Sequence, residues 1–201
     1  MKDILVFGFP HSGTTILKEL INRCDNAESL KTEATNFNSF KSDAEIKCIK
    51  YPFFDDTFLS EKFNEVNKIF IIRNPLYSLS SIQRRVGNLD MPMHSIKDWQ
   101  FVARQWLDNQ DKFICISYEG LFHSNNFFTK CLFLKLGLKF DPQIFQGYNF
   151  KYGVKESDHV AFRNNQILMP FNNMNTPDKI TLSEEQQHEV MNTPEFKKIY
   201  V

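Results

Sequence analysis

GFPHSGTT, residues 8–15, follows the apolar run DILVF and leads into ILKELINRC, so it lies where a buried strand turns into a helix. It nearly matches the phosphate-binding loop G-x-x-x-x-G-K-[ST]: Gly8 and Gly13 are in register and Thr15 holds the hydroxyl position, but Thr14 stands where the lysine belongs. Without that lysine the loop lacks the counter-charge that reaches the β- and γ-phosphates in kinases and ATPases. What remains is an anion cradle: backbone N–H groups at a helix N-terminus and the hydroxyls of Ser12, Thr14 and Thr15. The same string also serves as a plain strand-to-helix turn with Ser12 or Thr14 as N-cap, so a second site must decide.

Working outward, strand-length apolar runs recur at residues 4–9, 45–51, 68–73 and 112–118. Between them lie the helix-like TTILKELINRC, PLYSLSSIQRRV and SIKDWQFVARQWLDNQ, and NNFFTKCLFLKLGL follows the last. This alternation predicts an α/β fold of three layers, α/β/α, with a mainly parallel central sheet. Ligands of such sheets bind beyond the carboxyl ends of the strands. That rule selects Phe9 to Thr15, the segment after Tyr51, Arg73 with its neighbours, and the segment after Tyr118. Residues 148–178, rich in Asn, Gly, Lys and Pro, read as a long loop, functional or disordered.

With 201 residues the expectation is a single domain spanning 1–201. The 24 basic and 24 acidic residues cancel, which removes any global field for nucleic acid or an anionic membrane; an anion site must be local. Cys24, Cys48, Cys115 and Cys131 show neither CxxC nor CxH spacing, which argues against a zinc site or disulfide framework. A strand beginning within a few residues of Met1 leaves no room for a signal peptide, and no apolar run approaches the ~20 residues that span a bilayer. The expectation is a cytoplasmic protein. Most of the 21 phenylalanines are expected to fill the core, and Trp99 and Trp106, seven apart on a helix, to form a core-facing stripe. His94, His123, His159 and His188 have no metal spacing, and no metal site is expected.

The second anion site is IIRNPLYSLSSIQRR. Arg73 ends a strand, Pro75 suits a first helical turn, and Ser81 falls eight residues after Arg73. Arginine gives bidentate phosphate recognition, and a nearby serine adds a hydroxyl bond. Arg73 alone would equally serve as a helix cap or a carboxylate's partner.

Together the two motifs resemble the PAPS-dependent sulfotransferases, whose cofactor is 3'-phosphoadenosine 5'-phosphosulfate and whose product is PAP. GFPHSGTT is similar to that family's 5'-phosphosulfate loop, often Y-P-K-S-G-T-T. RNPLYSLSS is similar to its R-x-P-x-x-x-x-x-S motif for the 3'-phosphate. DWQFVARQWLDN and FICISYEGLFHSNNFFTKCLFLKLGL resemble its tryptophan-bearing helix, its strand ending near Y-E-D-L and its L-G-L turn. The likeness runs from about residue 4 to about 140, in a style closest to carbohydrate-type, tyrosylprotein-type and bacterial members, and implies a P-loop-like sulfotransferase fold.

The resemblance implies that Pro10, His11, Ser12, Gly13, Thr14 and Thr15 hold the phosphosulfate and that Arg73 and Ser81 hold the 3'-phosphate. His11 replaces the family's Lys or Arg that contacts the bridging oxygen or sulfuryl group; as a histidine it acts so only while protonated, and otherwise donates a neutral bond or faces solvent. Glu33 is the expected general base, by likeness to the family's K-E-P strings, with a solvated loop carboxylate as the plain alternative. Lys50 in IKYP resembles the family's K-x-P lysine that faces the sulfate, against an ordinary exposed strand-end lysine. Phe162 and Arg163 are placed, by order along the chain, over the adenine and 3'-phosphate, and His159 is the fallback base.

The implied acceptor is a small molecule, carbohydrate or peptide. Two other classes stay open. One is a nucleotide kinase-like phosphoryl transferase, which needs a replacement lysine and a Mg²⁺ carboxylate such as Asp55 or Asp56. The other binds PAP or another adenine nucleotide without catalysis.

Overall fold

The computed structural model describes residues 3–38, 40–146 and 171–201. Five strands, β1 (Ile4–Gly8), β2 (Ala27–Ser29), β3 (Ile46–Tyr51), β4 (Asn67–Ile72) and β5 (Ile114–Ser117), form one sheet in the order β2-β3-β1-β4-β5. Every pairing is parallel, with Val6 opposite Lys50, Gly8 opposite Ile71 and Ile72 opposite Ser117. β1 is entirely buried, as expected of a parallel strand covered on both faces.

The period-2 alternation of β1 separates two cores. Leu5, Phe7 and Phe9 point to one side, where they meet Leu79 and Ile82 of α2 (Pro75–Val86) and Trp99 and Val102 of α3 (Ile96–Asp108). Ile4 and Val6 point to the other, against Leu17, Leu20 and Ile21 of α1 (Thr14–Asn22). Leu121 of α4 (Tyr118–Leu121) and Leu132 and Phe133 of α5 (His123–Lys135) complete that second core. The first core gains Val190 of α6 (Glu184–Met191) and Phe196 of α7 (Pro194–Tyr200). Helices therefore cover both faces of the sheet.

Local chemistry fixes the helix ends that matter to the site. Asn74 caps α2 by accepting from Leu76 N, Pro75 occupies its first turn, and Gly87 closes it in the left-handed region at φ 86°. Ser95 and Asp98 form a capping box on α3. The first turn of α5 is interrupted, because Ser124, Asn125 and Asn126 hold left-handed backbone at φ 50°, 55° and 64°, so the expected helix from Asn125 runs regularly only after Asn126. Asparagine tolerates that region better than most residues.

The phenylalanines behave as core. Phe7 lies 4.5 Å from Phe70, 4.9 Å from Phe58 and 5.1 Å from Phe113, ring centre to ring centre. Trp99 is fully buried and Trp106 partly so, its indole donating to Phe70 O at 3.1 Å. Among the described residues all four cysteines are free thiols, no cluster of three His, Cys, Asp or Glu side chains could hold a metal, and no helix is long and apolar enough to cross a membrane.

Candidate functional site

The loop after β1 is shaped by three backbone features. Ser12 N donates to Phe9 O at 3.1 Å, His11 sits in the left-handed region at φ 62°, and Gly13 follows at φ 95°. A Cβ on Gly13 would lie 2.6 Å from Tyr118 Cδ2, and one on Gly8 would lie 1.9 Å from Ile71 O, so both positions require glycine. His11 is a non-glycine residue in strained backbone, a feature that clusters at ligand-binding loops.

The plain N-cap reading of Ser12 or Thr14 is not what forms. Gly13 is the N-cap of α1 and no side chain caps it, so first-turn N–H groups remain for an anion. Ser12, wholly buried, has a hydroxyl with no partner among the described residues. Buried orphan hydroxyls are uncommon and call for an explanation such as a ligand. Pro10 and Thr14 are buried in the same turn, while Thr15 is half-buried.

Two groups of side chains flank this loop. On the β3 side, Lys50 is only 4% exposed, which removes the reading of an ordinary exposed lysine. Its Nζ donates to Thr15 Oγ1 at 3.0 Å and to Glu33 Oε1 at 2.6 Å. Glu33 is exposed, yet tied to Lys50 rather than simply solvated. Its segment is held beside the strand by Leu30 N donating to Cys48 O and Ala34 N to Lys50 O. In phosphate-loop nucleoside triphosphatases the hydroxyl at the position of Thr15 binds Mg²⁺; here it accepts from an ammonium group. Asp55 caps a 3₁₀ turn through Thr57 N, and Asp56 is exposed on that turn.

On the β4 side, Arg73 leaves the strand end and turns back onto the loop. Its Nη1 donates to His11 O at 3.1 Å, and its guanidinium carbon lies 4.3 Å from the centre of the Tyr118 ring, a cation–π distance. Nε donates to Asn175 Oδ1 at 2.8 Å and Nη2 to the same oxygen. Burial draws the Arg73 guanidinium below its ordinary pKa and pushes the Tyr118 phenol up. The guanidinium stays charged throughout the physiological range. The His11 imidazole does not extend away from the loop: its Nδ1 lies 2.7 Å from Ser81 Oγ. His11 thus joins the first motif to the second through both its backbone and its ring.

Pro10 to Thr15, Glu33, Lys50, Arg73 and Ser81 therefore gather at the carboxyl ends of β1, β3 and β4. Phe162, Arg163 and His159 lie outside the described residues. The sequence reading assigned no role to Tyr118, Glu119 or Asn175. The first two carried a signal, since they follow a strand end; Asn175, 102 residues from Arg73, carried none.

No protein-family model matches the chain, and no curated protein matches it significantly. Solved structures do. The mouse sulfotransferase SULT7A1, crystallised in complex with PAP, aligns over 100% of this chain and 89% of its own at 16% identity with a TM-score of 0.63. The sulfotransferase domain from the curacin biosynthetic pathway aligns over 93% of this chain and 95% of its own at 14% identity with a TM-score of 0.52. At these identities the likeness shows the fold, an α/β architecture with a parallel five-stranded sheet flanked by helices, as in the sulfotransferases.

Proposed function

We propose that the protein is a sulfotransferase that moves a sulfuryl group from PAPS to a hydroxyl or amine of a small-molecule, carbohydrate or peptide acceptor and releases PAP. The observation that carries the reading is the buried Lys50 ammonium on the Thr15 hydroxyl, on the opposite flank of the loop from Arg73. One cation serves the transferring end of the donor and the other its 3'-phosphate, with the orphan Ser12 hydroxyl and the uncapped α1 between them.

In the reaction the acceptor oxygen or nitrogen forms a bond to sulfur while the bond from sulfur to the 5'-phosphate oxygen breaks. Negative charge builds on that leaving oxygen. The first-turn N–H groups of α1, the Thr15 hydroxyl and Lys50 are preorganised to meet it, and such donors are each worth about 100- to 1000-fold in rate. Glu33 Oε1, paired with Lys50, fixes the carboxylate beside the same ammonium, and the carboxylate takes the acceptor's proton. His11 and Ser81 brace the loop against α2, with Arg73 and Ser81 as the 3'-phosphate ligands.

The test is thermal melting with PAP, ADP and ATP–Mg²⁺ on the native protein and on Arg73→Ala, followed by transfer from radiolabelled PAPS to sugars, phenols and peptides. A ligand at 100 times its Kd stabilises the fold by about 2.7 kcal/mol. The reading requires PAP to exceed ADP and Arg73→Ala to erase the difference. If PAP does no better than ADP, or only ATP–Mg²⁺ shifts the melt, the assignment fails.

A further inference from the structure

The bidentate edge of Arg73, Nε and Nη2, is occupied by the Asn175 carboxamide oxygen. This is the edge with which a guanidinium grips a phosphate. Asn175 Nδ2 in turn donates to Glu119 Oε1 at 2.6 Å, and that oxygen also accepts from Asn74 N at 3.1 Å. Glu119 Oε2 is buried without a partner among the described residues. The carboxamide thus bridges a partly buried cation and a partly buried anion at the mouth of the nucleotide site.

Asn175 sits within a strap, residues 171–182, that is anchored on both sides of it. Upstream, Phe171 N donates to Phe145 O at 2.9 Å and the Phe171 ring packs 4.6 Å from Phe122. Met174 N donates to Tyr118 Oη at 3.3 Å. Downstream, Thr181 N donates to Ser80 Oγ at 2.9 Å, Arg84 donates to Lys179 O, and Leu182 is buried. Asn172, Asn173 and Thr176 to Asp178 are exposed. Between these anchors Asn175 N donates to Asn173 Oδ1 at 2.9 Å and Lys179 Nζ to Met174 O at 2.9 Å, so the carboxamide can leave Arg73 by turning its own side chain while the strap stays docked.

We infer that Asn175 is a placeholder for the 3'-phosphate: its carboxamide satisfies Arg73 between turnovers, yields to the phosphate when donor binds, and returns to help expel PAP. The inference rests on the sulfotransferase reading. A partly buried guanidinium without an acceptor is costly, and a neutral amide oxygen removes much of that cost. Bonds from the same guanidinium to a charged phosphate are roughly twice as strong, so the exchange runs toward the ligand. Because the amide competes for the same donors, both donor and product bind less tightly than Arg73 alone would allow.

The experiment is calorimetric binding and stopped-flow release of PAP and ADP on the native protein, Asn175→Ala, Asn175→Ser and Arg73→Ala, with melting temperatures confirming that each variant folds. The serine side chain is too short to reach the guanidinium and serves as the second variant. Expected is PAP binding about tenfold tighter in both Asn175 variants, carried by slower release, with ADP unchanged. If native protein prefers PAP to ADP but the Asn175 variants bind PAP equally or more weakly, Asn175 supports Arg73 rather than competing for it, and the inference is overturned while the function stands. If neither native protein nor variants prefer PAP to ADP, the sulfotransferase reading falls and takes this inference with it.

Discussion

His11 Nδ1 lies 2.7 Å from Ser81 Oγ, a contact that joins residues 70 positions apart and ties the loop after β1 to the second turn of α2. The imidazole is thereby turned toward Ser81 on α2. Ser81→Ala removes this brace and, on the proposed function, a hydroxyl ligand of the 3'-phosphate. The expected outcome is a PAP-induced melting shift that falls toward that of ADP, while the melting temperature without ligand changes little.

Lys50 carries the charge that the loop itself lacks. Lys50→Met keeps the length and apolar stem of a buried side chain while removing the ammonium from the Thr15 hydroxyl and the half-exposed Glu33 carboxylate. Turnover is expected to drop at least about 100-fold with PAP binding weakened far less. Glu33→Gln should lower kcat by about 100- to 10,000-fold and leave PAP affinity intact. Steady-state kinetics beside binding isotherms separates the two roles; equal loss of kcat and PAP affinity in both variants would refute the division.

The glycine requirement is testable without any substrate. Gly13→Ala combines a left-handed φ of 95° with a Cβ 2.6 Å from Tyr118. It is expected to cost about 1–3 kcal/mol in urea unfolding. Gly8→Ala would drive its methyl into the Ile71 carbonyl of β4 and is expected to give no folded protein.

Stability in acid should report the contact between α3 and α7. Arg104 donates to Glu195 Oε1 through Nε at 3.1 Å and Nη2 at 2.8 Å. Burial alone would push the Glu195 carboxyl up; the Arg104 hydrogen bonds and charge, together with bonds from its own backbone N–H and from Gln100, outweigh it and hold the group below its ordinary value. A carboxyl depressed in the folded state adds stability that is present above its unfolded pKa, about 4.3, and is lost as pH falls through the folded value. Denaturant titrations from pH 6 down to about pH 3 should show a steeper loss for native protein than for Glu195→Gln.

Thiol chemistry gives a simple map of burial. Burial pushes the Cys24, Cys48 and Cys115 thiols up to about 12, whereas Cys131 is exposed on α5. Alkylation at pH 8 followed by peptide mass mapping should label Cys131 in the folded protein and all four only after unfolding.

How much of this was legible in the sequence differs by element. The strand and helix alternation was readable because a parallel sheet buried on both faces demands short, almost wholly apolar strands, as in ILVFG and KIFII. The loop and Arg73 were readable as a candidate anion site because such sites need particular backbone and particular cations at strand ends. Lys50 and Glu33 were legible as candidates, but their pairing was not, since β3 and the segment before it meet only through tertiary contacts. Asn175 was invisible: an asparagine in a polar stretch has no periodicity and no motif, and its role arises from a contact made across 102 residues. The C-terminal helices drew no reading because α6 is polar on most of its faces, although the Ser183 to Gln186 capping box marked its start.

The central place of β1 in the strand order has a consequence for how such a protein can change. Everything on the Lys50 side comes from one contiguous stretch before β4, and Arg73, Ser81, Tyr118 and Glu119 come from a later one, with β1 and its loop as the shared hinge pin. On the sulfotransferase reading, the acceptor half and the nucleotide half are thus separate cassettes. Exchanging residues between β2 and β4 with Glu33 and Lys50 kept would rewrite what is modified, while Arg73, Ser81 and the loop after β1 are inherited unchanged.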